Sequence, residues 1–321
     1  MWDFSIAKSI GLMIRTAPFL IFRALVYFGI TAALVAVTGA GAGIGYGIGA
    51  FGDEEFRTTS TAWGGFAGFG LTAGVIFFLR DYLLYIVKAG QIAVMVEYLD
   101  GRPVPYGQAQ IALARTVVTE RFGQASALFA LDRLIKGVIG VITGLIEGVM
   151  TLLPIPGLNQ IMGAVRAYLR LAVGLVDEVI LAHAIRTRSE NAWEAAHDGL
   201  VLYAQNARQM LTNAAWLTLI SWILAAVVFV VMLAPAAAVV VLLPGDSSAA
   251  MFVFALLFAW AVKAAVIEPF ALACMLQVFF KVTAGQEPQP EWRGRLTQIS
   301  DKFRQLGERA VGWTPHSGAD A

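Results

Sequence analysis

Six stretches of this chain stay apolar for about 20 residues or more, the length a helix needs to cross the hydrocarbon core of a bilayer. They run Ala24–Gly49, from Ala62 past Leu84, Leu134–Leu153, Ile161–Ile185, Ala214–Leu243 and Ala249–Phe280. A soluble fold of 321 residues cannot be built around them. Charged residues make up 14% of the chain and hydrophobic residues 58%, where a soluble domain carries about a quarter charged. The missing charges are the ones a soluble surface would need. The spacing predicts an all-α polytopic integral membrane protein with six transmembrane helices.

The loops between the runs give an orientation. Phe51–Thr61 holds Asp53, Glu54 and Glu55 against Arg57, the turn Pro154–Asn159 has no charge, and Pro244–Ser248 has only Asp246. The longer segments on the other side carry Lys8, Arg15, Arg102, Arg115, Arg121, Arg186, Arg188, Arg208, Lys281, Arg293, Arg295 and Lys302. Basic loops stay in the cytoplasm, so both termini are expected inside, in a bacterial inner membrane. Residues 1–281 then form the six-span domain and 282–321 a cytoplasmic amphipathic tail. Met1 to Arg23 lacks the order of a standard signal peptide.

Short outer turns group the spans into three hairpins, each followed by an amphipathic stretch. In the last, Trp292, Leu296, Ile299, Phe303 and Leu306 step by 4, 3, 4 and 3 and hold one helical face. Trp193, Leu200, Tyr203 and Leu211 mark another, and Trp2, Ile6, Ile10 and Met13 open the chain in the same way. Such helices lie flat at the headgroups or pack on one another as a cytoplasmic cap; periodicity allows both. Val87-Lys88-Ala89 aligns with Ile267-Glu268-Pro269, and Asp177-Glu178 falls between them, which suggests a threefold hairpin repeat of roughly 90 residues.

Many of the 32 glycines sit inside spans. Gly39 to Gly49 alternate in the first, Gly64/Gly68 and Gly70/Gly74 repeat at four in the second, and Gly140, Gly144 and Gly148 do so in the third. Small residues at this spacing let helix backbones approach closely in lipid.

Ionisable groups inside spans cost ~2.5–3.5 kcal/mol each on insertion scales, so they face a partner or a cavity. Glu147 and Arg166 or Arg170 are spaced to form an intramembrane ion pair across the third and fourth spans. Glu268 precedes Pro269, which removes a backbone donor and weakens the helix there. A carboxylate beside such a break resembles the discontinuous-helix sites of transporters. If the repeat holds, Lys88, Asp177, Glu178 and Glu268 lie at equivalent depths as a candidate substrate site, with Trp260 as a cation–π partner.

Other chemistries find no support. Net charge is +1, so no global field recruits nucleic acid. One cysteine (Cys274) and three histidines (His183, His197, His316) leave no metal-ligand set, and no cofactor motif is present. No nucleophile–base pair marks an enzyme.

The stretch from Ser189 to Lys281 resembles the C-terminal part of the choline-transporter-like family. Asn191-Ala192-Trp193 and Tyr203-Ala204-Gln205-Asn206-Ala207 lead into one span, and a long last span ends Ala271-Leu272-Ala273-Cys274-Met275-Leu276-Gln277-Val278-Phe279-Phe280. The large cysteine-rich outer loop of the eukaryotic members is missing. The resemblance implies transport of a small cationic alcohol or a related lipid precursor. The sequence thus leads to a transporter or lipid-handling protein in contact with membrane lipids. The alternatives are an accessory subunit of a membrane complex, with a protein partner, and a homo-oligomeric pore.

Overall fold

The computed structural model describes residues 2–122, 125–152, 174–241 and 248–314. Among them every regular element is helical. In chain order these are α1 (Ile6–Arg15), α2 (Ala17–Gly49), α3 (Glu54–Leu99), α4 (Gln108–Phe122), α5 (Ala125–Leu152), α6 (Val176–Thr187), α7 (Ala192–Gln205) and α8 (Ala207–Val241). Then come α9 (Ser248–Val262), a π-helical turn (Lys263–Ile267), α10 (Glu268–Val282), α11 (Pro290–Ile299) and α12 (Asp301–Val311). Among the described residues three runs are long and apolar enough to cross a membrane: Ala17–Gly49, Ala207–Val241 and Met251–Val282. They give the chain the character of a membrane protein, and they match the first, fifth and sixth apolar runs of the sequence. The second run lies within α3 and all but the last residue of the third within α5; most of the fourth lies outside the described residues.

The chain divides into two compact units. The first is residues 1–18, 89–220 and 270–321; the second is 19–88 and 221–269.

The second unit has an apolar exterior. Trp63, Phe66, Leu71, Val230 and Leu256 are all exposed, as lipid-facing residues are. Its first hairpin is built on glycine. A Cβ placed on Gly41 would collide with the Gly64 carbonyl oxygen, one on Gly45 with that of Ser60, and one on Gly68 with that of Val37. The alternation of glycines in α2 therefore has two roles. Gly41, Gly45 and Gly49 face α3, while Gly43 and Gly47 meet open space. Gly70, Gly74, Gly140 and Gly144 have nothing nearby among the described residues.

The first unit has the conventional buried core. Ile92, Met95, Leu131, Ile135, Ile180, Ile185, Leu272, Phe279 and Phe303 are all fully buried. The amphipathic stretches after the middle and last hairpins form a cap: α11 and α12 pack on α7, and α12 also packs on α5. His197 stacks on Phe303 with ring centroids 4.1 Å apart, and Leu306 is fully buried, so the C-terminal helices share this unit's core. Asn191 caps α7 by accepting from the Glu194 N–H at 3.2 Å and donates to the Ala310 carbonyl at 2.7 Å, which ties the two elements together.

Helix α1 has two different faces. Ser9, Leu12 and Met13 are buried, while Ile6, Ile10 and Ile14 are exposed. The buried face is pinned to α10: Gln277 donates to Ser9 Oγ at 2.6 Å, and Ser9 Oγ lies 3.0 Å from the buried Cys274 Sγ. Ahead of it, the Asp3 N–H donates to Asn213 Oδ1 at 2.7 Å, and Asn213 Nδ2 donates back to the Asp3 carboxylate at 3.0 Å.

Left-handed residues follow three of the helices. Gly101 (φ +73°), Arg188 (φ +52°) and Gly285 (φ +72°) are left-handed and follow α3, α6 and α10. At Gly101 the turn closes with the Arg102 N–H on the Glu97 carbonyl (2.9 Å) and the Gly101 N–H on that of Tyr98 (3.2 Å), a Schellman stop.

Candidate functional site at a broken apolar helix

The long last apolar run breaks where Glu268-Pro269 predicts it, through a π turn. The Glu268 N–H donates to the Lys263 carbonyl, five residues back. In that register the Ala264 carbonyl would next take the N–H of residue 269, and Pro269 has none. Arg23 of α2 takes its place: Nη2 donates to the Ala264 oxygen at 2.7 Å. An orphaned carbonyl in an apolar helix is costly, and a guanidinium hydrogen bond removes that cost.

The same arginine reaches the carboxylate. Arg23 Nη2 lies 3.7 Å from Glu268 Oε2, and Lys263 Nζ lies 3.8 Å from Oε1. Arg23 is 4% exposed and Glu268 is 38% exposed, so the cation is the buried member and the carboxylate the accessible one. Trp260 stands edge-on to Tyr27, with centroids 5.3 Å apart and planes at 84°. Tyr27 packs with Ala261, Ala264 and Ala265, whose small side chains let the ring lie against the broken turn. Lys88 belongs to the same unit, half-buried on α3.

Asp177 and Glu178 belong to the first unit, where both are buried in the first turn of α6. Lys136 of α5 lies 3.6 Å from Asp177 and donates to the buried Asp132 at 2.7 Å, four residues before it. Glu147 lies on α5, but its pairing with Arg166 or Arg170 falls outside the described residues.

A second ionic network in the first unit joins the ends of α3 and α6. Arg102 holds Glu97 at 2.7 Å and Asp100 at 2.9 Å, Arg186 Nε donates to Asp100 Oδ1 at 2.8 Å, and Arg188 lies 3.6 Å from Glu97. The Arg186 guanidinium also sits over the Phe280 ring, 4.2 Å from its centroid. His183 stands edge-on to Phe279, and His197 lies on Phe303, so both histidines serve packing. Among the described residues no group of three or more His, Cys, Asp or Glu side chains could hold a metal.

Sequence reasoning missed Arg23, which it left outside the first span as a boundary charge. Its partner is a backbone carbonyl on a distant helix, and no local pattern signals such a bond. Comparison of this chain with protein-family models, curated proteins and solved structures finds no match.

Proposed function

We propose that this chain is a membrane transporter or lipid-handling protein whose working site is the broken helix at Lys263–Pro269. One observation carries the reading: an apolar, membrane-length run is interrupted by a π turn that gathers Arg23, Lys263 and Glu268. π turns recur at functional sites, and broken helices in membranes are tolerated where they line a cavity or meet protein. The accessible Glu268 carboxylate attracts a cationic group, and the half-exposed Lys263 ammonium offers a contact for an anionic group beside it. That pairing suits a zwitterionic lipid precursor better than a bare cationic alcohol. Trp260 supplies an aromatic wall for the cationic end.

In this reading the first and third hairpins cross an inner membrane with both termini in the cytoplasm. The first half of α5 belongs with the cytoplasmic cap, because it buries Leu131, Ile135 and Val138 and α5 packs on the amphipathic α12.

Proteoliposomes of the full chain test the function directly. Uptake of labelled choline and of phosphocholine, and exchange of a labelled phospholipid between leaflets, are measured with wild type and Glu268→Gln. Activity in one assay, lowered at least tenfold by Glu268→Gln, is the expected result. Inactivity in all three overturns the function, and activity unchanged by the substitution overturns the site.

A further inference from the structure

A separate cavity of about 550 Å³ lies in the first unit, at the docked N-terminus. Its lining includes three cations, Lys8, Arg186 and Lys281, against one carboxylate, Asp3. Asp3 is engaged by Lys281 at 3.4 Å and by Asn213, and Arg186 commits only its Nε to Asp100. Lys8 makes no ion pair among the described residues, so positive charge remains in excess after the internal pairs are counted. Gln277 adds a polar side chain, and Trp2 and Phe280 supply apolar wall. The volume falls in the range of small-molecule sites, about 300–1,000 Å³.

The setting points to where a ligand comes from. Lys8 lies on α1, whose outward face is Ile6, Ile10 and Ile14. An amphipathic helix with an exposed apolar stripe lies in the headgroup layer, and its lysines sit at phosphate depth. Trp2, at the cavity wall, packs edge-on against Trp216 of α8 at 5.6 Å, and tryptophans gather at that same depth.

We propose that this cavity binds a phosphate group, with Lys8 and Lys281 as its ammonium donors and the terminal nitrogens of Arg186 as a planar donor pair. Guanidinium and ammonium groups together satisfy the several acceptor oxygens of a phosphate. The site stands independently of the broken-helix reading, since every lining residue belongs to the first unit and the readout is binding.

The experiment uses the full chain in an uncharged detergent, with calorimetry of three probes: dihexanoyl phosphatidic acid, inorganic phosphate and dihexanoyl glycerol. Saturable binding of phosphatidic acid but not of the other two supports a lipid headgroup; binding of inorganic phosphate as well, in competition, supports a soluble phosphate. In either case Lys8→Ala weakens binding about tenfold, the loss of one charged hydrogen bond, and Lys8→Arg restores it. Lys8 is exposed, so its variants keep the fold, which the unfolding midpoint confirms. The proposal is overturned if no phosphate probe binds, if dihexanoyl glycerol binds as well as phosphatidic acid, or if Lys8→Ala binds as wild type does.

Discussion

Arg23 donates to the backbone oxygen of Ala264 at 2.7 Å, in the register where Pro269 leaves that oxygen without a helical partner. The arginine and the proline are therefore energetically linked although 246 positions separate them in the sequence.

That linkage is measurable by a double-mutant cycle. Arg23→Ala should cost about 2–3 kcal/mol, as loss of a charged partner from a buried carbonyl does. Pro269→Ala restores an N–H, and in that background the cost should fall by about 1 kcal/mol. Unfolding in mild detergent reads both; strictly additive costs would disprove the link.

Glycine substitutions in the first hairpin should divide by face. Gly41→Ala and Gly64→Ala each force a Cβ onto a carbonyl oxygen and should destabilise by ~1–3 kcal/mol. Gly43→Ala meets open space and should stay within about 0.5 kcal/mol of wild type. Equal effects at Gly41 and Gly43 would contradict the face assignment.

The carboxylates that join α3 to α6 should matter beyond any surface pair. Asp100→Ala strips Arg102 and Arg186 of a shared partner and should cost about 1–2 kcal/mol, a range reduced for the partial exposure of both arginines. Faster proteolysis near residues 100–107 is the accompanying readout.

The N-terminal anchor should be sensitive to acid. The Asn213 hydrogen bond, with Lys281, outweighs burial and holds the Asp3 carboxyl below the usual carboxylate range. A depressed folded pKa stabilises above the unfolded value of about 3.9 and loses that stability as pH falls through the folded one. The gap in unfolding midpoint between wild type and Asp3→Asn should thus hold from neutral pH to about 5, then close below about 4.

Much of this architecture was readable in the sequence where one physical signal dominates. The apolar runs of α2, α8 and the last span are long enough to leave no alternative to a membrane-length helix, and Glu268-Pro269 marked the break. The middle of the chain was not readable. Nine of the twelve residues of α6 are buried within the first unit, Asp177 and Glu178 among them, and that burial comes from neighbouring elements that the sequence does not place beside it. The sequence reads Asp177 and Glu178 as charges of the fourth apolar run. Asp177 faces Lys136, a partner that only the fold brings near. The same limit applied to the amphipathic tail: Leu296, Phe303 and Leu306 gave the face, but whether lipid or α7 covers it depends on the fold.

The left-handed stops at Gly101, Arg188 and Gly285 fall roughly 90 residues apart. Two are glycine, which enters this conformation freely; the third is an arginine, for which it costs about 1–2 kcal/mol. The Arg188 side chain reaches back to Glu97 across the ionic network. At Arg188 the chain has exchanged backbone ease for a charge, and the strain it keeps is held by the tie between the ends of α6 and α3.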